Sequence, residues 1–390
     1  MSTVALVALV GALKAFAAQA IVLHHLAAYG PMSVDAWKVM PAILMGCYDY
    51  GRLAVQVFLV VGGFLAARSL FPRDWVQPVS LWKPIKRRYV RLVIPYLAAL
   101  ALAIACAAVA RRFMVDESIP ASPTLMQWLA HVMLLQGPLG FESLSAGVWY
   151  IAIDFQAFAL MAVMLRLGRG RGRLFAPMLI MAMATAALFG FNRDTSWDDW
   201  APYFFGSYGL GAAAWLSCTR RNSTVWLGGM AILTIAALML DFRLRIMIAL
   251  AVALVLGFGV RSGLLDRWRL PPPIAFLGRI SFSVFLVHYP IALVVNTVYE
   301  LSGISAPFMA VAMLVATWAA SIAAGALFHR YVEGPAAIAK ITATLGSLIG
   351  RIDKSRRGLP DTSPRASNSP SLTEPRQDRS GRTASRAGHV

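Results

Sequence analysis

Three residues of the first apolar stretch carry groups that lipid does not tolerate without a reason: Lys14, His24 and His25. A polar or ionisable side chain inside a membrane span is costly unless it faces a cavity or a partner, so such residues are the functional candidates. Lys14 and His25 are eleven residues apart. At 100° per residue they differ by only about 20° around a helix axis and lie about 16 Å apart along it. They share one helix face, cannot touch, and can both line one channel, while His24 points elsewhere. An ammonium at one end of such a face can attract phosphate. A neutral imidazole at the other, with an ordinary pKa near 6.5, can accept a proton at working pH.

Two further groups join them. Lys83-Pro-Ile-Lys86-Arg87-Arg88-Tyr-Val-Arg91-Leu-Val-Ile-Pro95 places Arg88 and Arg91 at i and i+3, on one side of a helix. Forked guanidinium donors there could grip a phosphate-bearing ligand, although the cluster also reads as an ordinary topogenic signal. The span that opens Trp149-Tyr150-Ile-Ala-Ile-Asp154 buries a carboxylate at about the depth of His25. Asp154 needs a partner. His25 is one candidate, which would gain a fixed tautomer from it, and an arginine is the other.

The elements that must position these groups follow from composition. Of 390 residues, 58% are apolar or aromatic and 14% are charged, against about a quarter charged in a soluble domain. An ordinary water-soluble globule is excluded, and an all-α polytopic membrane protein is expected. Apolar runs of membrane length lie near 4–30, 53–71, 90–110, 146–165, 174–191, 202–218, 224–240, 246–260, 280–299 and 306–328, which gives ten transmembrane helices. The pair 224–240 and 246–260 is the least secure, since only the turn Asp241 to Arg245 parts them. Segment 123–140 is too short to cross and is expected to be re-entrant or interfacial.

The 36 Lys and Arg against 18 acidic residues give a formal charge of +18, which reads as a topology signal and not as a nucleic-acid patch. Loops 68–88, 166–173, 219–223 and 261–279 hold sixteen Lys and Arg, and the alternate loops hold six. Both termini are therefore expected in the cytoplasm. Residues 1–340 are expected as the membrane domain and 341–390 as a basic cytoplasmic tail, disordered over 351–390, where large apolar side chains almost vanish. Cys47, Cys106 and Cys218 have no metal-type or disulfide spacing, and no metal is expected.

The order Lys14-x10-His25, Phe58-Leu-Val-Val-Gly62-Gly63-Phe64, Arg88-Tyr-Val-Arg91 and Trp149-Tyr-Ile-Ala-Ile-Asp154 resembles the membrane acyltransferase-3 family. So do Gly278-Arg279-Ile-Ser281-Phe-Ser283-Val-Phe-Leu-Val-His288-Tyr-Pro290 and His329-Arg-Tyr-Val-Glu333-Gly-Pro335, so that the likeness spans about residues 10–336. The resemblance implies a membrane O-acyltransferase in a bacterial inner membrane. Such an enzyme moves an acyl group, most often acetyl, from cytosolic acyl-CoA to a hydroxyl of a glycan or glycolipid. Three positions depart from the family pattern: Lys14 stands for Arg, Gly62 for Ser and Asp154 for Glu. Lysine keeps the charge without bidentate geometry, aspartate shortens the reach, and glycine removes a hydroxyl.

With that resemblance, Lys14, Arg88 and Arg91 are expected to bind the phosphates of acyl-CoA, and His25 to act as general base with Asp154 orienting it. A covalent acyl-imidazole on His25 fits the same placement. Trp149, Tyr150 and His288 are candidate acceptor contacts, the first two as stacking surfaces for sugar or as interfacial anchors. Arg279, Ser281, His131 and Glu333 read as anchoring, packing or salt-bridge residues. The rival class is a transporter or flippase of a glycan or lipid-linked precursor, but no internal repeat supports it.

Overall fold

The computed structural model describes residues 3–71, 80–219, 224–262, 269–344 and 347. The chain divides at Lys340, and of Ile341–Val390 only 341–344 and 347 are described, so the expected tail 351–390 lies outside the described residues. There is no strand among the described residues. Lipid offers the backbone no hydrogen bonds, so each apolar run satisfies its own amides as a helix.

Thirteen α-helices follow one another up to Phe328: α1 (Thr3–Ala28), α2 (Pro31–Ala36), α3 (Pro41–Gly51), α4 (Val55–Leu70), α5 (Trp82–Phe113), α6 (Leu125–Met133) and α7 (Trp149–Leu167). Then come α8 (Phe175–Phe189), α9 (Ala201–Thr219), α10 (Thr224–Leu240), α11 (Leu244–Arg261), α12 (Pro272–Ser302) and α13 (Pro307–Phe328). A π turn over His329–Glu333 follows, and residues 335–344 are helical again. α3 runs through a single tight turn, Arg52–Ala54, into α4, so the expected span at 53–71 is the second half of the apolar stretch Pro41–Leu70.

Eight stretches among the described residues are long and apolar enough to cross a membrane. The expected spans at 202–218 and 224–240 are present as α9 and α10, yet neither is among the eight. α10 has 17 residues. α9 has 19 but carries Gly206, Gly209, Gly211, Ser207, Ser217, Tyr203 and Tyr208. Its composition is explained by its place: α9 packs on α4, α7, α8, α10 and α11 and is buried along almost its whole length. A helix walled in by other helices needs no lipid-facing surface, and small residues let its neighbours approach. Gly63 lies against the backbone of Tyr208, and Gly211 against that of Val60, so a Cβ at either position would collide with main chain. The Gly62-Gly63 pair of the sequence thus marks the α4–α9 crossing.

α10 and α11 are separate helices that pack together, joined by the turn after Leu240. In the expected re-entrant segment only α6 is helical, nine residues held at its start by a reciprocal Thr124–Gln127 capping box and ended by Leu134 in a left-handed conformation. A second group of helices forms around α12, which packs on α1, α5 and α13. It meets the α9 group through α1 against α4 and α5 against α7. The side chains singled out above sit along this seam.

Candidate active site

His25 projects from the last turn of α1 and His288 from the middle of α12, two residues before Pro290. Their rings are parallel within 7°, and His25 Nδ1 lies 2.8 Å from His288 Nε2. His288 Nδ1 lies 2.7 Å from the carbonyl oxygen of Phe285, one turn back on its own helix. A carbonyl can only accept, so His288 Nδ1 carries the proton and donates it there. His288 Nε2 then bears a lone pair and accepts from His25 Nδ1–H. That leaves Nε2 of His25 as the lone-pair nitrogen of its ring. Tyr29 stacks on the His25 ring at 5.5 Å between centroids. His24 turns away, its Nδ1 donating to the Tyr48 carbonyl of α3 at 2.8 Å.

His25 and His24 line a cavity of about 1100 Å³ at the end of the bundle that carries the C-terminus of α1. Its walls come from the 114–148 and 190–200 connections and the start of α11, and include Arg52, Arg243, Arg245, Glu117, Glu142, Ser145, Trp149, Asp198 and Tyr289. Arg243 donates to Asn192 Oδ1 at 2.7 Å and to the Leu188 carbonyl at 2.9 Å, and Arg245 donates to the Asn192 carbonyl while covering the ring of Tyr203. Burial and the neighbouring Arg245 and Arg193 lower the affinity of Arg243 for its proton, and Asp241 opposes them. The Ser145 hydroxyl is buried with no partner among the described residues.

Asp154 does not reach His25. It is buried on α7 and ion-paired with Arg88 of α5, whose guanidinium also lies over the ring of Phe158 at 5.4 Å. The sequence left Asp154 two possible partners, and the arginine takes it. A full charge in a low-dielectric seam is stabilised far more by an opposite charge than by a neutral ring. The expected orienting role of Asp154 is therefore corrected: His288, expected as an acceptor contact, holds His25. Arg88 spends one guanidinium nitrogen on this pairing, and 22% of its side chain stays exposed. Tyr150 packs between Phe58 and Phe285, and its hydroxyl, Asp154 Oδ1 and Tyr208 surround Gly62. A Cβ at Gly62 would stand 2.8 Å from Asp154 Oδ1. Trp149, by contrast, lies at the cavity wall against Phe204.

Lys14 lies within electrostatic reach of Glu333, Arg91 and Arg88 at the opposite end of the bundle. Arg91 is exposed there. Glu333, in the π turn, accepts from Ser283 Oγ at 2.5 Å and pairs with His329 Nδ1 at 3.0 Å. The expectation that Lys14 and His25 line one channel is not met by the cavity, which reaches Ile21 but not Lys14. Ala17, Ala18 and Ile21 fill the interval as part of the apolar core. His131 is a packing residue, bonded to the Gln127 carbonyl and accepting from the Leu144 amide.

Several cavity residues escaped the sequence reading. Arg243 and Arg245 were visible only as loop charges, and Ser145 and Gln136 carried no signal, because a hydroxyl or amide in a loop is ordinary until its surroundings are known. Among the described residues no group of His, Cys, Asp and Glu could hold a metal ion. A family model described as an acyltransferase domain matches residues 9–326. Neither a curated protein nor a solved structure matches the chain significantly.

Proposed function

The chain belongs to the acyltransferase-3 family and is a multi-pass membrane acyltransferase, and on that premise we propose that it transfers an acyl group, acetyl by preference, from cytosolic acyl-CoA to a hydroxyl of a glycan or glycolipid at the outer face of a bacterial inner membrane. The loop charges support this orientation, with both termini and the Lys14 end inside and the large cavity outside.

The observation that carries the reading is the directed relay from Phe285 through His288 to His25. It makes Nε2 of His25 the basic atom, on a ring that lines a cavity large enough for a sugar. The acceptor hydroxyl gives its proton to Nε2 as its oxygen attacks the thioester carbonyl. The C–S bond breaks as the new ester forms, and the proton held by His25 passes to the departing thiolate. His288 positions the base and spreads the positive charge of the transient imidazolium, while Ser145 and the arginines of the wall meet the acceptor. Lys14 and Arg91 attract the phosphates of the donor, with no metal in the scheme. Because Ala17, Ala18 and Ile21 close the interval between them and His25, donor binding must part the packing along α1 before the thioester reaches the base.

Mass analysis of ester-linked acyl groups on the host's surface glycans and lipids tests the reading, comparing wild type, a deletion strain and His25→Ala in a properly inserted protein. Deletion and His25→Ala are both expected to strip the same acyl group. Full restoration by His25→Ala would end the catalytic assignment. A deletion that changes no acylation but leaves a glycan stranded in the cytoplasm would replace the enzyme reading with transport.

A further inference from the structure

Beside the large cavity lies a smaller one of about 400 Å³, lined by residues that include Gln136, Phe141, Trp149, Asp198, Asp199 and Phe204. The two are contiguous, since Ser143, Trp149, Asp198 and Phe204 belong to both walls. Gln136 is 1% exposed, and neither its side-chain oxygen nor its nitrogen has a partner among the described residues. Burying an amide with all its hydrogen bonds unmade costs about 1–3 kcal/mol, and such a group calls for an explanation. A side-chain amide, two carboxylates and flat aromatic rings around one small cavity are the set that recognises a sugar ring, with hydroxyls as donors and acceptors and the C–H face against the aromatics.

The charges of the two cavities differ. The large one carries Arg52, Arg243 and Arg245 among its acidic residues, whereas the small one is lined by Asp198 and Asp199 and by no cation. Two neighbouring carboxylates with no cation in the wall repel a further anion. Gly137 gives Asp199 its place, because a Cβ there would meet the aspartate Cγ at 2.9 Å.

We propose that the Gln136 pocket is a second sugar subsite, built for an uncharged unit of the acceptor next to the unit acylated at His25, so that the true acceptor is at least two sugar units long. This rests on the glycan reading above and adds to it a length and a charge.

The test uses full-length protein in nanodiscs with radiolabelled acyl-CoA. The acceptors are fragments of the host's own surface glycan, sorted into single units, pairs and longer pieces. Wild type is expected to favour pairs over single units in kcat/KM by on the order of tenfold, the worth of one or two hydrogen bonds. Gln136→Met should bring that ratio toward one, and so should Asp199→Asn, which alters an exposed loop side chain of the small cavity alone. A wild type indifferent to length overturns the proposal. So do variants that slow single units and pairs by the same factor, or that keep the preference intact. These results leave the acyltransferase reading standing. Label that reaches a lipid acceptor and no glycan fragment of any length overturns the glycan reading and the subsite together.

Discussion

Two polar sites lie along the same seam of the bundle, and they use their groups in opposite ways. At one end, His25 and His288 are bonded in a fixed direction, and the last nitrogen of the chain is left over on a ring that lines open space. Deeper in the bundle, Arg88 and Asp154 are bonded to each other, with Arg88 Nε and Asp154 Oδ1 sealed away from any other partner among the described residues. Charge alone would single out the ion pair as the reactive centre. Unspent bonding capacity beside a cavity singles out the histidines. A buried ion pair is a structural commitment, costly to make and more costly to halve, whereas a neutral imidazole pair can take up a proton and return it.

The sharpest way to break this contrast is His25→Ala. General-base catalysis is worth on the order of 10²–10⁴-fold, and acyl transfer by folded protein in nanodiscs should fall by that much. The wild-type rate should also rise with pH as the His25 ring loses its proton and then level off, because only the neutral ring accepts a proton. The residual rate of the variant should lack this limb. At the other site the loss should appear in stability instead. Asp154→Asn strands the Arg88 charge, at a cost of roughly 3–5 kcal/mol where burial is complete and toward the lower end here, since Arg88 keeps 22% of its side chain exposed. Thermal unfolding in detergent should register it, and Arg88→Met with Asp154→Leu should recover most of the loss. An Asp154→Asn protein as stable as wild type yet without activity would erase the distinction.

A smaller effect tests the relay itself. His288→Leu removes the acceptor for His25 Nδ1–H and should lower kcat about tenfold, the scale of one hydrogen bond. His288→Gln supplies an amide oxygen in its place and should recover most of the rate, which a purely space-filling role for His288 would not predict. The smallest effect belongs to Lys14, already opposed by Glu333. Lys14→Gln should raise KM for acyl-CoA by up to about fivefold with kcat unchanged, as for a partly solvated charge contact.

Much of this was legible from residue types alone. A polar group in an apolar run is conspicuous, so Lys14, His25, Asp154 and His288 were all marked as positions that need a reason. The spans could be placed because hydrocarbon imposes a length and an internally bonded backbone on whatever crosses it. α9 was legible as a helix, but its central place was not, since small residues flanked by serine and tyrosine look the same on a poor span and on a helix enclosed by others.

Pairing lay beyond that reach. The sequence offered Asp154 both His25 and an arginine, and the choice fell to the rotation and spacing of α1, α5, α7 and α12, which are set where backbones press together, as at Gly63 and Gly211 on α4 and α9. Local composition determined that this chain fills a membrane with helices and which of its side chains must find company there. Which of them meet, and which is left with a lone pair facing a cavity, was decided by packing between segments far apart in the chain, because contact depends on distances that no single helix contains.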